Sequence, residues 1–65
     1  MSNTDAIIRI RNELKSLHMK FIDEEIAAVA GYIRSGATDT EIILLSEFNL
    51  SEIKTIRKAI KRNLL

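Results

Sequence analysis

The sequence predicts an all-α fold, a compact bundle of four short helices. Three observations support this prediction. Apolar residues recur at spacings of three and four along most of the chain, residues that favour helix starts precede these segments, and no Pro interrupts them. With 65 residues and no Cys, the chain should form one domain, and its small core would gain stability from a partner subunit rather than from a disulfide.

The first predicted helix runs from Thr4 or Asp5 to about Phe21. Its apolar residues follow the alternating spacing of three and four that marks a coiled-coil seam: Ile7, Ile10, Leu14, Leu17 and Phe21. This stripe fits a core-facing surface or the interface of a dimer, and the two alternatives stay open. The run Ile7–Arg11 could also form a strand, as in ribbon-helix-helix repressors, although those proteins need their second helix far sooner in the chain.

The second predicted helix spans Glu24 to Arg34, with Asp23 as its N-cap. Gly31 lies inside this helix, where glycine costs about 1 kcal/mol relative to alanine. We therefore expect another helix to pack very close to Gly31. Gly36 should end the helix in the left-handed conformation.

The third predicted helix, Asp39 to Phe48, begins with a capping box in which Thr38 and Glu41 each satisfy a free backbone amide. Because this helix is apolar on most sides, we expect it to be the hub of the core. Ile43 alone falls among its polar residues, which fits a surface position or a subunit contact.

The fourth predicted helix follows a turn at Asn49–Leu50, with Asn49 in the left-handed conformation and Ser51 as N-cap, and runs to about Asn63. One of its faces is apolar and the other cationic. The net charge of +1 hides this segregation, because residues 1–22 carry +2, residues 23–52 carry −6 and residues 53–65 carry +5. Such a distribution indicates a nucleic-acid surface, or acidic and basic segments that face one another.

The residue types of the chain argue against an enzyme. His18 is the only imidazole, no Gly-rich phosphate loop is present, and a helix edge is an ordinary place for a structural histidine. We therefore predict no catalytic residue, no metal site and no cofactor. The sequence has no secretory signal and no apolar run of the ~20 residues that a membrane span needs, so we expect a cytoplasmic protein without a membrane partner.

The C-terminal part resembles the helix-turn-helix DNA-binding regulators over roughly residues 23–62. Tyr32–Ile42 is similar to the run into the first helix of that motif, Asn49–Ser51 to its turn, and Ile56–Ile60 to the body of its recognition helix. The resemblance implies that the last helix enters the major groove of duplex DNA. It further implies the residues that would contact DNA: Lys54, Thr55, Arg57 and Lys58 near the bases, and Lys61 and Arg62 on phosphates.

We therefore predict a small DNA-binding protein in transcription regulation, with residues 1–22 as a dimerisation or support helix and residues 23–65 as a helix-turn-helix-like unit. It would be a homodimer, with the following interface residues: Ile7, Ile10, Leu14, Leu17, Phe21 and Ile43. The alternative is a small dimeric protein-binding module, such as an inhibitor, a connector or an antitoxin-like partner, with no nucleic-acid contact. In that case the basic helix face would meet an acidic segment of the same dimer or of a target protein.

Overall fold

A computed structural model describes residues 3–65, which form four helices. These are α1 (Asn3–Lys20), α2 (Asp23–Arg34), α3 (Asp39–Leu45) and α4 (Leu50–Lys61). The predicted all-α bundle is confirmed, and residues 7–11 lie inside α1, which excludes the strand alternative. None of these four helices combines the length and the apolar content that crossing a membrane requires.

The central helix of the bundle is α4, which packs against each of the other three helices. Three of its residues, Ile53, Ile56 and Ala59, have no exposed surface. This corrects the prediction that the third helix is the hub of the core. Only Ile42 of α3 is buried, and the other three apolar residues of this helix, Ile43, Leu44 and Leu45, are exposed.

Helices α1 and α4 run antiparallel. The end of α1 meets the start of α4, where Lys20 Nζ lies 2.9 Å from Glu52 Oε2. One helical turn further along α4, Thr55 Oγ1 donates to Glu13 Oε2 at 3.1 Å. The two polar contacts fix how the helices are aligned along their length.

The hydrophobic core is a single cluster to which all four helices contribute. The predicted stripe supplies four of its members: Ile10, Leu14 and Leu17 lie in α1, and Phe21 directly follows it. Phe21 stacks on Phe48, with ring centroids 3.9 Å apart and an angle of 16° between the rings. The stripe is therefore the core-facing surface of α1.

The predicted capping box of α3 is present. Thr38 N donates to Glu41 Oε1 at 2.9 Å, and Glu41 N donates to Thr38 Oγ1 at 3.2 Å. The predicted end of α2 is also confirmed, because Gly36 has a φ of 91°. Gly36 N donates to Ile33 O and Ala37 N to Tyr32 O, both at 3.0 Å, which is the Schellman pattern.

The predicted starts of α2 and α4 are wrong by one and two residues. The N-cap of α2 is Ile22, whose amide donates to Glu25 Oε1 at 3.0 Å. The N-cap of α4 is Asn49 with a φ of −90°, so Asn49 is not left-handed and Ser51 is not the cap. Asn49 N donates to Glu52 Oε1 at 2.8 Å, and Glu52 N donates to Asn49 Oδ1 at 2.9 Å.

Helix α3 ends at Leu45 rather than at Phe48 because Ser46 competes for the backbone hydrogen bonds. Its hydroxyl donates to Ile42 O at 2.7 Å and accepts from Phe48 N at 3.2 Å. The chain then leaves the helix in an extended conformation at Ser46. This early exit turns Phe48 into the core.

The prediction of a helix packed closely on Gly31 is wrong. A Cβ atom built on Gly31 meets nothing within 4 Å, and the residue is exposed. Nothing in the structure explains a glycine at this position.

Candidate nucleic-acid interface

The solvent-facing side of α4 carries a row of cations. The apolar residues of the helix face the core, so side chains at 54, 58 and 61 project into solvent, and the row continues just past the helix end. We call the following residues the cationic face of α4: Lys54, Lys58, Lys61 and Arg62. All four are exposed. Within residues 3–65, none of them forms an ion pair or hydrogen bond through its side chain.

No carboxylate of α4 neutralises this face. The only acidic residue of the helix is Glu52, which points toward α1 and pairs with Lys20. Burial raises the pKa of Glu52, but the hydrogen bond from the Asn49 amide and the contact with Lys20 together leave this pKa below its ordinary value of 4.5. Glu52 therefore stays ionised at neutral pH without compensating the cations on the opposite side.

Arg57, predicted to contact bases, is occupied by internal partners. Its Nε donates to Asp39 Oδ1 at 2.7 Å, and its second guanidinium nitrogen donates to Ala37 O at 3.0 Å. These bonds join α4 to the segment that begins α3. Arg57 thus holds the bundle together at the edge of the cationic face.

Thr55, also predicted to contact bases, faces α1 instead. Its side chain is buried, and its hydroxyl lies 3.1 Å from Glu13 Oε2 and 3.2 Å from Ser51 O. Thr55 lies beside Lys54 and Lys58 at the junction of α1 and α4, but its burial and its hydrogen bonds inside the chain remove it from the exposed surface.

Sequence reasoning missed the part that α1 contributes to this surface. A groove of about 510 Å³ runs between the two helices, and Arg9 and Glu13 of α1 line it opposite Lys58, Lys61 and Arg62. Arg9 could be placed there only with knowledge of the antiparallel pairing of α1 with α4. The periodicity of the separate helices does not specify that pairing.

The residues predicted to form a dimer interface are divided by the structure. Ile10, Leu14, Leu17 and Phe21 lie inside the core, Ile7 is half-buried and Ile43 is exposed. A dimer seam along α1 would have to use side chains that already pack against this chain's own helices. The homodimer stays a prediction, with Ile7 and Ile43 as the members of the set that have surface to offer.

His18 lies at the surface where α1 meets α2. Its Nδ1 is 3.0 Å from Asp23 Oδ1, and both residues are exposed. In the described part of the chain, no three His, Asp or Glu side chains come together in a way that could hold a metal ion.

The arrangement offers phosphate-binding chemistry. Ammonium and guanidinium groups that have no carboxylate partner can bind the phosphates of a polyanion and release its condensed counterions. No family model, no curated protein and no solved structure matches the chain.

Proposed function

We propose that the chain is a small regulatory protein that binds duplex DNA through the cationic face of α4, in the manner of the helix-turn-helix proteins it resembles. One observation carries the proposal. Lys54, Lys58, Lys61 and Arg62 are exposed and have no carboxylate partner among residues 3–65. Four unpaired cations along one helix form the electrostatic footprint that a phosphate backbone needs.

The proposal assigns different parts to the six predicted DNA-binding residues. Phosphate contacts go to the three members of the cationic face that line the groove toward α1, Lys58, Lys61 and Arg62. Lys54, near the N-terminal end of α4, is the candidate for a base edge, because recognition helices read bases with their early residues. Thr55 and Arg57 keep the helix in place.

A salt titration of duplex binding tests the proposal, with the anisotropy of a labelled duplex as readout. Each phosphate contact contributes about −0.9 to the slope of log K against log salt concentration, so three contacts predict a slope of roughly −2.7. The double variant Lys58→Ala/Lys61→Ala should bind more weakly, with a slope of roughly −0.9.

A matched control removes the same charge elsewhere. Arg11 and Lys15 are exposed on α1, and neither lines the groove between α1 and the cationic face of α4. The variant Arg11→Ala/Lys15→Ala should therefore keep the slope of the unmodified protein. Equal losses in the two double variants would mean that only net charge matters, and no duplex binding at the lowest salt concentration would end the proposal.

A homodimer is the second part of the proposal, because helix-turn-helix regulators bind paired half-sites as dimers. Its support is the small size of the chain and the exposed apolar side chain of Ile43 on α3. Sedimentation equilibrium gives the subunit number directly. A single chain mass at every protein concentration would contradict the dimer.

A further inference from the structure

A second surface, opposite in charge to the cationic face, lies between α2 and α3. It is a groove of about 300 Å³ whose floor is formed by Val29 and Phe48, both buried. Its walls include Tyr32 of α2 and two leucines at the end of α3. These leucines are unusually open to solvent, since Leu44 is 81% and Leu45 60% exposed. We call this surface the α2–α3 groove.

The rim of the α2–α3 groove is acidic. Glu25 and Glu47 both line it, and no cation among residues 3–65 pairs with either carboxylate. Glu25 accepts one hydrogen bond, from the amide of Ile22. The groove thus combines apolar walls with two carboxylates that pair with no cation of the described chain.

The chain itself is a poor occupant for this groove. Two copies that met groove to groove would bring Glu25 and Glu47 of one copy against the same carboxylates of the other, and like charges across an interface cost several kcal/mol. The basic helix α4 of a second copy offers few apolar anchors, because its Ile53, Ile56 and Ala59 are fully buried and Ile60 is partly buried in its own core. Charge and burial thus argue against these two arrangements of a second copy.

We propose that the α2–α3 groove binds an amphipathic helix of a partner protein, with apolar anchor residues flanked by Lys or Arg. Apolar anchors at helical spacing would cover Leu44, Leu45 and Tyr32, and the flanking cations would pair with Glu25 and Glu47. A volume of about 300 Å³ is at the lower end of binding clefts and suits a few side chains of a helix laid into a groove. This inference is independent of the proposed DNA binding, because none of the residues of the groove belongs to the cationic face.

The chain carries its own reporter for the groove. Tyr32 is the only tyrosine and there is no tryptophan, so tyrosine emission reports a single wall residue of the groove. The probe is a synthetic helical peptide without tyrosine or tryptophan, with leucines at i, i+3, i+4 and i+7 on one face and lysines on the other. A second peptide has glutamate in place of every lysine. The lysine peptide should change the emission of Tyr32 saturably, and the glutamate peptide should bind far more weakly.

Substitutions in the wall then locate the site. Leu44→Gln and Leu45→Gln should each weaken binding of the lysine peptide about tenfold, because burying one leucine contributes at least the ~1.4 kcal/mol of a tenfold change. The matched control is Met19→Gln, which removes an apolar side chain that is 90% exposed on α1 and should leave affinity unchanged. Both leucines are exposed, so the variants should keep the helical circular-dichroism spectrum.

Charge exchange at the rim supplies an internal control. Glu47→Lys should weaken binding of the lysine peptide and strengthen that of the glutamate peptide. Equal affinity for both peptides, or binding that survives Leu44→Gln and Leu45→Gln, would overturn the proposal. A rise in protein concentration that changes Tyr32 emission without any peptide, and fails to do so in the leucine variants, would show that a second copy fills the groove and would also overturn it.

Discussion

The two glycines of the chain are in opposite backbone situations. Gly36 has a φ of 91° at the end of α2, a region that L-residues rarely adopt. Gly31 is inside α2, where a Cβ atom would meet nothing within 4 Å. The sequence reveals the first role, because a glycine after the last periodic residue is a stop signal. It misleads about the second, because a costly glycine need not be compensated by a neighbouring helix.

The same substitution at the two glycines should therefore have opposite effects on stability. Gly31→Ala should raise the free energy of unfolding by about 0.5–1 kcal/mol, since alanine favours the helix and meets no obstacle. Gly36→Ala should lower it by about 1 kcal/mol or more, since the left-handed conformation strains a Cβ atom. Urea unfolding followed by circular dichroism measures both. A destabilising Gly31→Ala would mean that something packs on that face in solution.

Arg57 shows how a residue chosen for function from its charge can act in the fold. Arg57→Ala removes hydrogen bonds to Asp39 and to the Ala37 carbonyl and should lower the free energy of unfolding by about 1 kcal/mol. Lys58→Ala, one residue on, removes no internal contact and should stay within about 0.5 kcal/mol of the unmodified protein. Thermal unfolding of the two variants side by side separates the roles, and equal stabilities would contradict the structural part assigned to Arg57.

At the scale of the helices, α2, α3 and α4 are all capped by a glutamate in the first turn. Glu25, Glu41 and Glu52 each accept a hydrogen bond from the amide of the N-cap residue three positions earlier. At Thr38 the sequence shows both residues of a capping box, Thr38 and Glu41. At Asn49 it shows both as well, but the neighbouring Ser51 is an alternative N-cap, and propensity alone does not choose between them. At Ile22 no capping side chain exists to be recognised.

The residue at which α3 ends could not be predicted from the sequence, and this end point alters the candidate surfaces. Four apolar residues in a row indicate a buried helix, yet only Ile42 of α3 is buried, and the Ser46 hydroxyl ends the helix directly after Leu45. Leu44 and Leu45 are left at the open end of the helix. Periodicity identifies the apolar residues, but their burial depends on helix length and on which helix lies opposite.

The capping box at the start of α4 should make the stability of the fold depend on pH. The pKa of Glu52 lies below 4.5 in the folded chain, so the folded chain binds this proton less tightly than the unfolded chain does. The contribution of Glu52 to stability is therefore complete above pH 4.5, and it is lost as pH falls through the lowered folded value.

Glu52→Gln isolates this charge, because glutamine can still accept the hydrogen bond from the Asn49 amide. The variant should be about 1 kcal/mol less stable at neutral pH, where it lacks the ion pair with Lys20. The difference should shrink as the pH falls below 4.5. Urea unfolding at several pH values measures it, with Glu24→Gln as control, since Glu24 is exposed. A difference that persists unchanged in acid would indicate lost packing instead of lost charge.

At the scale of the whole molecule, the segregated charges of the sequence do not cancel within one chain. Three carboxylates from the acidic segment 23–52 find partners: Asp23 with His18, Asp39 with Arg57 and Glu52 with Lys20. Of the five cations in residues 53–65, only Arg57 is engaged in the part of the chain that the structure describes. Within the chain, the acidic segment 23–52 therefore neutralises only one cation of residues 53–65. The other four cations remain available to a ligand.

A substitution at Lys54 tests whether the cationic face serves binding or the stability of α4. Lysines near a helix C-terminus favour the helix dipole, but Lys54 is in the N-terminal half of α4, four residues before Lys58 and three before Arg57. Like charges at these spacings destabilise a helix, and an acid at position 54 would turn the repulsion into attraction.

Lys54→Glu should thus raise the free energy of unfolding by about 0.5–1 kcal/mol at low salt and weaken duplex binding. The gain should fade as salt screens the exposed charges. Urea unfolding at low and high salt, beside the duplex titration, measures both effects. A destabilised Lys54→Glu protein would show that this ammonium group already has a partner within the folded chain and is not available to phosphate.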